Sequence, residues 1–157
     1  MIIGIPRSRA QDEFRVGLSP RAVGNLVSRG AEVVVEKGAG LGAVFSDDSY
    51  EAAGARVVHS PDEVYGRADL LVTVDRPGAE VYPLIRENQI LMSTLHMAVA
   101  DPALVDVLLK RNCTAIDFVT IQDDQGNLPA LRPLSQIAGR IVPQIAARYL
   151  QTDNGGL

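Results

Sequence analysis

Short apolar segments alternate with amphipathic segments along this 157-residue chain. The apolar segments are too short for ordinary helices and rich in Val, Ile and Leu, so they are predicted to be strands. Most are apolar on both faces, a pattern typical of a parallel sheet covered by helices on each side. The six predicted strands are MIIGIP, AEVVVEK, ARVV, DLLVTV, QILMSTL and CTAIDF.

The segments between these strands carry helix start and stop signals. Ser19 followed by Pro20 predicts an N-cap and first helical residue. Ser60 and Glu63 have the spacing of a capping box at the start of SPDEVYG. Further helices are predicted in SDDSYEAAG, in DPALVDVLLKRN and from about residue 133 to 150, with weak helical character in AEVYPLI. In the last of these helices Pro143 should cause a bend.

This alternation predicts an α/β fold with a mainly parallel, doubly wound sheet of about six strands and flanking helices. Such a domain is of the flavodoxin-like or Rossmann-like type. The length suits one domain, predicted over residues 1–150. The closing QTDNGGL, residues 151–157, is polar and glycine-rich and is predicted to be a linker or a frayed end.

Charge and composition exclude several classes of function. The net charge is −4 and there is no basic block, which argues against nucleic acid or an anionic membrane as a partner. No segment approaches the roughly 18 consecutive apolar residues of a membrane helix, and the N-terminus lacks the order of a secretory signal. The lone Cys113 excludes an internal disulfide framework or a cysteine zinc cluster. A cytoplasmic protein without a metal is therefore expected.

A glycine-rich stretch follows the second predicted strand. Gly38, Gly40 and Ala43 satisfy the G-x-G-x-x-G/A spacing of a pyrophosphate-binding loop. In such a loop the glycines open a long helix directly, whereas here AVF follows Gly42 and the next helix begins near Ser46. We therefore interpret the stretch as a tight turn that needs positive φ and close backbone approach, with phosphate binding as the alternative. No nicotinamide cofactor is expected to bind this chain alone.

Polar side chains follow the predicted strands where ligands bind to open parallel sheets, outside their carboxyl ends. Arginines there can clamp a carboxylate, and a histidine can transfer protons near neutral pH. Together they predict a cleft for a small organic acid, although single arginines can also be solvated surface charges and His59 is interpreted as structural. The candidates are Arg7, Arg9 and Arg15 after the first strand, Asp75 and Arg76 after the fourth, His96 after the fifth, and Thr120 and Gln122 after the sixth.

Several segments resemble the N-terminal domain of alanine dehydrogenases and of the nicotinamide nucleotide transhydrogenase alpha subunit. The likeness covers nearly the whole chain and includes MIIGIPRSRAQDEFRVGLSP, DLLVTVDRP, QILMSTLHMAVAD and TAIDFVTIQDDQGNLPALRPLSQIAGR. His96 and the LSQIAGR segment favour the alanine dehydrogenase branch. In that family the glycine loop belongs to the substrate domain, and a separate Rossmann domain carries NAD.

The resemblance implies a substrate site in the cleft between those two domains. It implies that Arg15 binds the carboxylate of pyruvate or alanine and that His96 contacts the substrate and acts in proton transfer. This chain departs from the family pattern at two positions, because Asp75 occupies the family's lysine position and Val119 an acidic one. The predicted substrate-binding residues are Arg15, Arg76 and Thr120, and the predicted catalytic residues are His96 and Asp75.

Three hypotheses follow. The chain is a substrate domain for a small 2-oxo or amino acid, and hydride transfer requires NAD supplied by a separate domain or subunit. Alternatively, it is a stand-alone non-redox enzyme in which Asp75, His96 and Arg15 abstract a proton from a carbonyl compound, or isomerise or cyclise it. A third possibility is a binding or regulatory module that forms a homodimer through the helix at about residues 133–150.

Overall fold

A computed structural model describes residues 1–154, which contain six β-strands, five α-helices and short 3-10 turns. The strands are β1 (Ile2–Ile5), β2 (Glu32–Glu36), β3 (Arg56–Val58), β4 (Leu70–Val72), β5 (Ile90–Ser93) and β6 (Thr114–Asp117). The helices are α1 (Pro20–Val27), α2 (Asp47–Ala52), α3 (Pro61–Arg67), α4 (Pro102–Lys110) and α5 (Leu131–Tyr149). The weakly helical segment AEVYPL forms a 3-10 helix over Ala79–Leu84.

The six strands form one sheet in the order β3-β2-β1-β4-β5-β6, and every neighbouring pair is parallel. This confirms the predicted parallel, doubly wound α/β fold. The chain builds outward from β1 to β3 and then returns to place β4 on the other side of β1. The carboxyl ends of β1 and β4 therefore flank the point at which the direction of winding reverses.

The two apolar faces of the strands explain why helices cover the sheet on both sides. In β2, Val33 and Val35 pack into a core cluster with Val23 of α1 and Tyr50 of α2. The intervening Val34 joins a second cluster on the opposite face, because successive side chains of a strand alternate. That second cluster contains residues of α3, α4 and the Ala79–Leu84 helix. Burial of both faces accounts for the nearly continuous apolar character of the strands.

The predicted helix caps are present. The Ser19 hydroxyl accepts a hydrogen bond from the amide of Ala22 at 3.3 Å, and the Ser60 hydroxyl accepts one from the amide of Glu63 at 3.3 Å. The Glu63 carboxylate accepts from the amide of His59 at 3.0 Å, one residue before the cap. The N-terminus of α3 is therefore closed by a variant of the capping box in which the returning bond reaches one residue further back.

The described chain clusters into two compact units, Met1–Asp117 with the whole sheet and a second unit that begins at Phe118. The boundary predicted near residue 150, between the domain and the polar tail, stays a prediction. In the second unit α5 runs without interruption through Pro143, followed by a 3-10 turn at Thr152–Asn154. The rest of the predicted polar tail, residues 155–157, lies outside the described residues. No helix within residues 1–154 is long and apolar enough to cross a membrane.

Candidate functional site

A cavity of about 230 Å³ lies at the carboxyl ends of β1 and β4. Its walls are the segment that follows β1 and the segment that follows β4, so it occupies the crevice where the winding of the sheet reverses. Its volume is below the roughly 300–1,000 Å³ of sites for drug-sized ligands, which suits a small metabolite. The lining side chains that bear on function are Arg7, Ser8, Arg15, Tyr65, Asp75 and Arg76.

Arg15 lines this cavity and is held by Glu13. Its Nε and one terminal nitrogen donate to the two carboxylate oxygens of Glu13 at 2.8 and 2.6 Å. These bonds raise the pKa of Arg15, with a smaller contribution from the charge of Asp75, and they lower the pKa of Glu13. The side chain of Arg15 remains 60% exposed. The guanidinium of Arg15 can therefore bind a carboxylate through two nitrogens, and in this structure Glu13 provides that carboxylate.

Asp75 faces the same cavity from the β4 side. Its two carboxylate oxygens accept from the Ser8 hydroxyl at 3.1 and 3.2 Å. Its backbone carbonyl accepts from the hydroxyls of Thr73 at 2.8 Å and Ser93 at 2.7 Å. Ser93 ends β5 and is fully buried. The main chain of Asp75 is thus fixed to the sheet, while its side chain bridges to the segment after β1.

Arg76 and His96 belong to neighbouring segments outside the β4 and β5 strand ends. Arg76 lines the cavity, and its guanidinium donates to the carbonyl of Val99 at 2.8 Å. His96 precedes the Met97–Val99 turn with a left-handed φ of 43°, and its amide donates to the Asp117 carboxylate at 2.9 Å. His96 is exposed and is not among the side chains that line this cavity. Arg76 therefore links the cavity to the turn that begins at His96.

The non-redox hypothesis needs Asp75 and His96 to act as a pair, and that pairing stays a prediction. In this structure the carboxylate of Asp75 accepts from Ser8, and the backbone of His96 is held by Asp117. Thr120 ends the Phe118–Thr120 turn of the second compact unit and is exposed. Its role in binding substrate likewise stays a prediction.

Sequence reasoning missed three residues that organise the cavity: Ser8, Glu13 and Glu36. Glu36 ends β2 and is only 4% exposed. Its carboxylate accepts from the amide of Arg7 at 2.9 Å and forms an ion pair with Arg9. The available signal was an acidic residue at the carboxyl end of an apolar strand, where a buried charge needs a partner. Glu36 thereby anchors the segment that carries the cavity's arginines.

A carboxylate of the protein itself engages the glycine loop after β2. The amide of Gly38, at φ 77°, donates to the Asp47 carboxylate at 2.8 Å, which puts negative charge where a pyrophosphate would need donors. A Cβ on Gly42 would lie 2.7 Å from the carbonyl oxygen of Phe14. The loop has the positive φ and close approach of a tight turn, and the following α2 has only six residues. Within residues 1–154, no three His, Cys, Asp or Glu residues cluster to hold a metal.

Comparison with known proteins places this arrangement in a family. The family model "Alanine dehydrogenase/PNT, N-terminal domain" matches residues 4–138. The chain is 42% identical to an alanine dehydrogenase of Mycobacterium tuberculosis over 99% of its length, and 40% identical to that of Bacillus subtilis, also over 99%. It covers only 42% and 40% of those relatives, about two fifths of their length.

Solved structures agree with the sequence comparisons. An L-alanine dehydrogenase superposes with a TM-score of 0.93 at 41% identity, covering 99% of this chain and 42% of that one. A transhydrogenase from Sinorhizobium meliloti gives a TM-score of 0.70 at 28% identity, covering 79% of this chain and 36% of that one. The higher identity and TM-score favour the alanine dehydrogenase branch. The chain therefore belongs to the family of alanine dehydrogenase and transhydrogenase N-terminal domains.

Proposed function

We propose that this chain is the substrate domain of an alanine-dehydrogenase-like oxidoreductase and binds a small 2-oxo or amino acid between β1 and β4. The observation that supports this most directly is the cavity at the winding reversal, which brings Arg15 and Asp75 together. Its volume of about 230 Å³ suits an acid of a few carbon atoms. The family's alanine dehydrogenases match the chain across this whole region.

In this proposal Arg15 binds the carboxylate of the ligand. Glu13 already accepts two hydrogen bonds from the Arg15 guanidinium, at 2.6 and 2.8 Å. The carboxylate of an incoming ligand therefore either shares this guanidinium with Glu13 or displaces Glu13 from it. Arg7 supplies a second guanidinium at the cavity wall and forms no ion pair with another described residue. We assign proton transfer to His96, which Arg76 connects to the cavity through the turn ending at Val99. Thr120 is proposed as a further contact of the ligand.

A binding titration tests the role of Arg15. Adding L-alanine and pyruvate while following amide chemical shifts should perturb the segment after β1 and the segment after β4. Arg15→Gln should weaken binding about tenfold or more, because a charge-assisted fork is lost. Arg29→Gln removes the same charge at an exposed position after α1 and should leave binding unchanged. Absence of binding by both acids, or equal effects of the two variants, would refute the proposed site.

We further propose that this chain does not hold NAD by itself and needs a separate domain or subunit for hydride transfer. The engagement of the Gly38 amide by Asp47 supports this. The isolated chain should show no saturable NADH fluorescence change and no turnover of pyruvate with ammonia. Turnover without a partner would contradict the proposal.

A homodimer through α5 is the proposed assembly. Ile137, Ile141, Ile145 and Tyr149 repeat every fourth residue, so they share one side of the helix, and all are between 44% and 67% exposed. A two-fold axis would pair this apolar stripe with its own copy, since an isologous contact uses the same surface twice. Ile141→Asp should convert a sedimenting dimer to monomer, whereas Gln136→Asp on another side of α5 should not. A wild-type chain that sediments as a monomer at high concentration would exclude this assembly.

A further inference from the structure

We propose that Asp75 makes the β1–β4 cavity selective for an ammonium-bearing acid, so that this domain binds a 2-amino acid in preference to the 2-oxo acid of the same carbon skeleton. This inference rests on the proposed function, since it concerns the ligand of the same cavity. It assigns Asp75 as the residue that determines specificity, by direct contact with the substituent on the second carbon of the ligand.

The carboxylate of Asp75 has acceptor capacity left after its contacts within the protein. The Ser8 hydroxyl approaches both oxygens, at 3.1 and 3.2 Å, but a hydroxyl has only one proton to donate. An ionised carboxylate accepts at about four lone-pair positions. Among the described residues no other side chain is hydrogen-bonded to these oxygens, and Asp75 lines the cavity. A ligand that brings donors therefore completes the coordination of this group.

The position of Asp75 is fixed before a ligand arrives. Its carbonyl receives two hydroxyl hydrogen bonds, from Thr73 at 2.8 Å and from the buried Ser93 at 2.7 Å. Because Ser93 is part of β5, Asp75 is attached to the next strand of the sheet as well as to its own. A preorganised carboxylate loses little conformational entropy on binding, which increases its contribution to selectivity.

The segment after β1 brings positive charge to the cavity. Arg7 and Arg15 belong to the segment after β1 and line the same cavity as Asp75. The charge of Asp75 acts on Arg15, whose pKa it helps to raise, so the two groups are close enough to interact. The cavity is thus lined by guanidinium groups from the segment after β1. The segment after β4 supplies the carboxylates of Asp75 and Glu80 and also Arg76, whose guanidinium donates to Val99. An amino acid zwitterion presents the complementary pair of charges on adjacent carbon atoms.

A 2-oxo acid matches only half of this arrangement. Its carboxylate suits the arginines, but its carbonyl oxygen is an acceptor and would face the acceptor oxygens of Asp75. Unpaired acceptors in a cavity cost binding free energy, so the same residue that attracts the ammonium group disfavours the ketone. Selectivity therefore has both an attractive and a repulsive component.

The test compares four three-carbon acids that differ only at the second carbon: L-alanine, L-lactate, pyruvate and propionate. Their dissociation constants are measured by amide chemical-shift titration of this chain at neutral pH. We expect L-alanine to bind about tenfold tighter than pyruvate, with L-lactate between them, because the ammonium forms a charge-assisted hydrogen bond. Asp75→Asn should reduce the ratio of the pyruvate to the L-alanine dissociation constant to about one. Asp106→Asn, at an exposed position of α4, should leave the ratio unchanged.

The outcomes separate this inference from the proposed function. Equal affinities, or tighter binding of pyruvate by the wild-type chain, would overturn the inference and leave a small-acid site in place. No binding of any of the four acids would overturn both. The wild-type comparison needs no variant, so it stays decisive if Asp75→Asn fails to fold. If Asp75→Asn folds and keeps the wild-type ratio, selectivity does not come from Asp75 and the inference fails.

Discussion

At the scale of single residues, the two glutamates beside the cavity are both largely buried, but they pair with arginines that differ in exposure. Glu36 is almost fully buried and pairs with Arg9, whose side chain is 36% exposed, while Glu13 pairs with the 60% exposed Arg15. Removing one member of a buried pair leaves an uncompensated charge, whereas an exposed pair contributes little. Glu36 therefore serves the structure of the segment after β1, and the Glu13 pair leaves Arg15 available to a ligand.

The Glu13–Arg15 pair predicts a pH dependence of stability. Because the pKa of Glu13 is lowered in the folded chain, the pair stabilises the fold above the ordinary glutamate value of about 4.5. That contribution is lost as the pH falls through the lowered value. Glu13→Gln should reduce the free energy of unfolding by less than about 1 kcal/mol at neutral pH, since Arg15 is mostly exposed. Urea unfolding at neutral pH and at about pH 3 measures the difference, which should be smaller in acid.

A control variant isolates the pair from a general charge effect. Glu51→Gln removes an exposed carboxylate from α2 and should change the unfolding free energy little at neutral pH. A Glu13→Gln penalty that persists undiminished in acid would show that the ion pair is not its source.

The sequence could place Arg15 and Asp75 at one edge of the sheet, because both follow strands of a predicted parallel sheet. Arg15 and Asp75 follow β1 and β4, whose adjacency at the winding reversal brings them to one cavity. The backbone conformation of His96 was not predictable, because a φ of 43° in a residue other than glycine depends on tertiary contacts such as the amide bond to Asp117. The Ser8 and Glu13 contacts depend on the local path of a loop, which periodicity does not encode.

At the scale of secondary-structure elements, the chain follows its local signals closely. Ser19, Ser46 and Ser60 each cap a helix through the side-chain oxygen, because a hydroxyl accepts a backbone amide that has no intrahelical partner. The Ala79–Leu84 segment was less clear from its sequence and forms a 3-10 helix containing Pro83. Proline removes a backbone donor, so this segment has little support for a regular α-helix.

Pro143 gives a prediction for α5. It lies within the helix and cannot donate a backbone hydrogen bond to the carbonyl of Gly139, four residues earlier. Pro143→Ala should increase the helical circular dichroism signal and stabilise α5 against urea by up to about 3 kcal/mol. Pro133→Ala is the matched control, because Pro133 occupies the first turn, where a backbone donor has no intrahelical acceptor. Equal gains from both substitutions would show that the missing donor is not the cause.

At the scale of the whole molecule, the sheet, the cavity and the glycine loop all lie within Met1–Asp117. The glycine loop packs against the segment after β1, because Gly42 leaves room for the backbone of Phe14, the residue before Arg15. The sequence predicted a tight turn here from the interrupted spacing, and Gly38 and Gly42 show the two features expected of one. What the sequence could not supply was the identity of the backbone that approaches Gly42, since that contact joins distant parts of the chain.

Gly42→Ala should therefore affect both stability and ligand binding. The added Cβ would lie 2.7 Å from the carbonyl oxygen and 2.9 Å from the Cα of Phe14, so the backbone must move. We expect a loss of about 1–3 kcal/mol in unfolding free energy and weaker binding of small acids, because Arg15 moves with Phe14. Gly66→Ala in α3 meets nothing within 4 Å and should be neutral or slightly stabilising. Full acid affinity in a folded Gly42→Ala variant would refute this coupling.

The close approach of Gly42 to Phe14 also bears on how such chains are recognised. A pattern search keyed to glycine spacing would retrieve this domain as a nucleotide binder, although packing leaves no room for a side chain at its second glycine, Gly40, where a Cβ would lie 2.6 Å from the ring of Tyr50, or at the nearby Gly42. In this chain the glycine spacing reflects close packing in the loop and is not evidence of phosphate binding. Searches that also require a helix of several turns immediately after the glycines would distinguish nucleotide-binding loops from tight turns with the same glycine spacing.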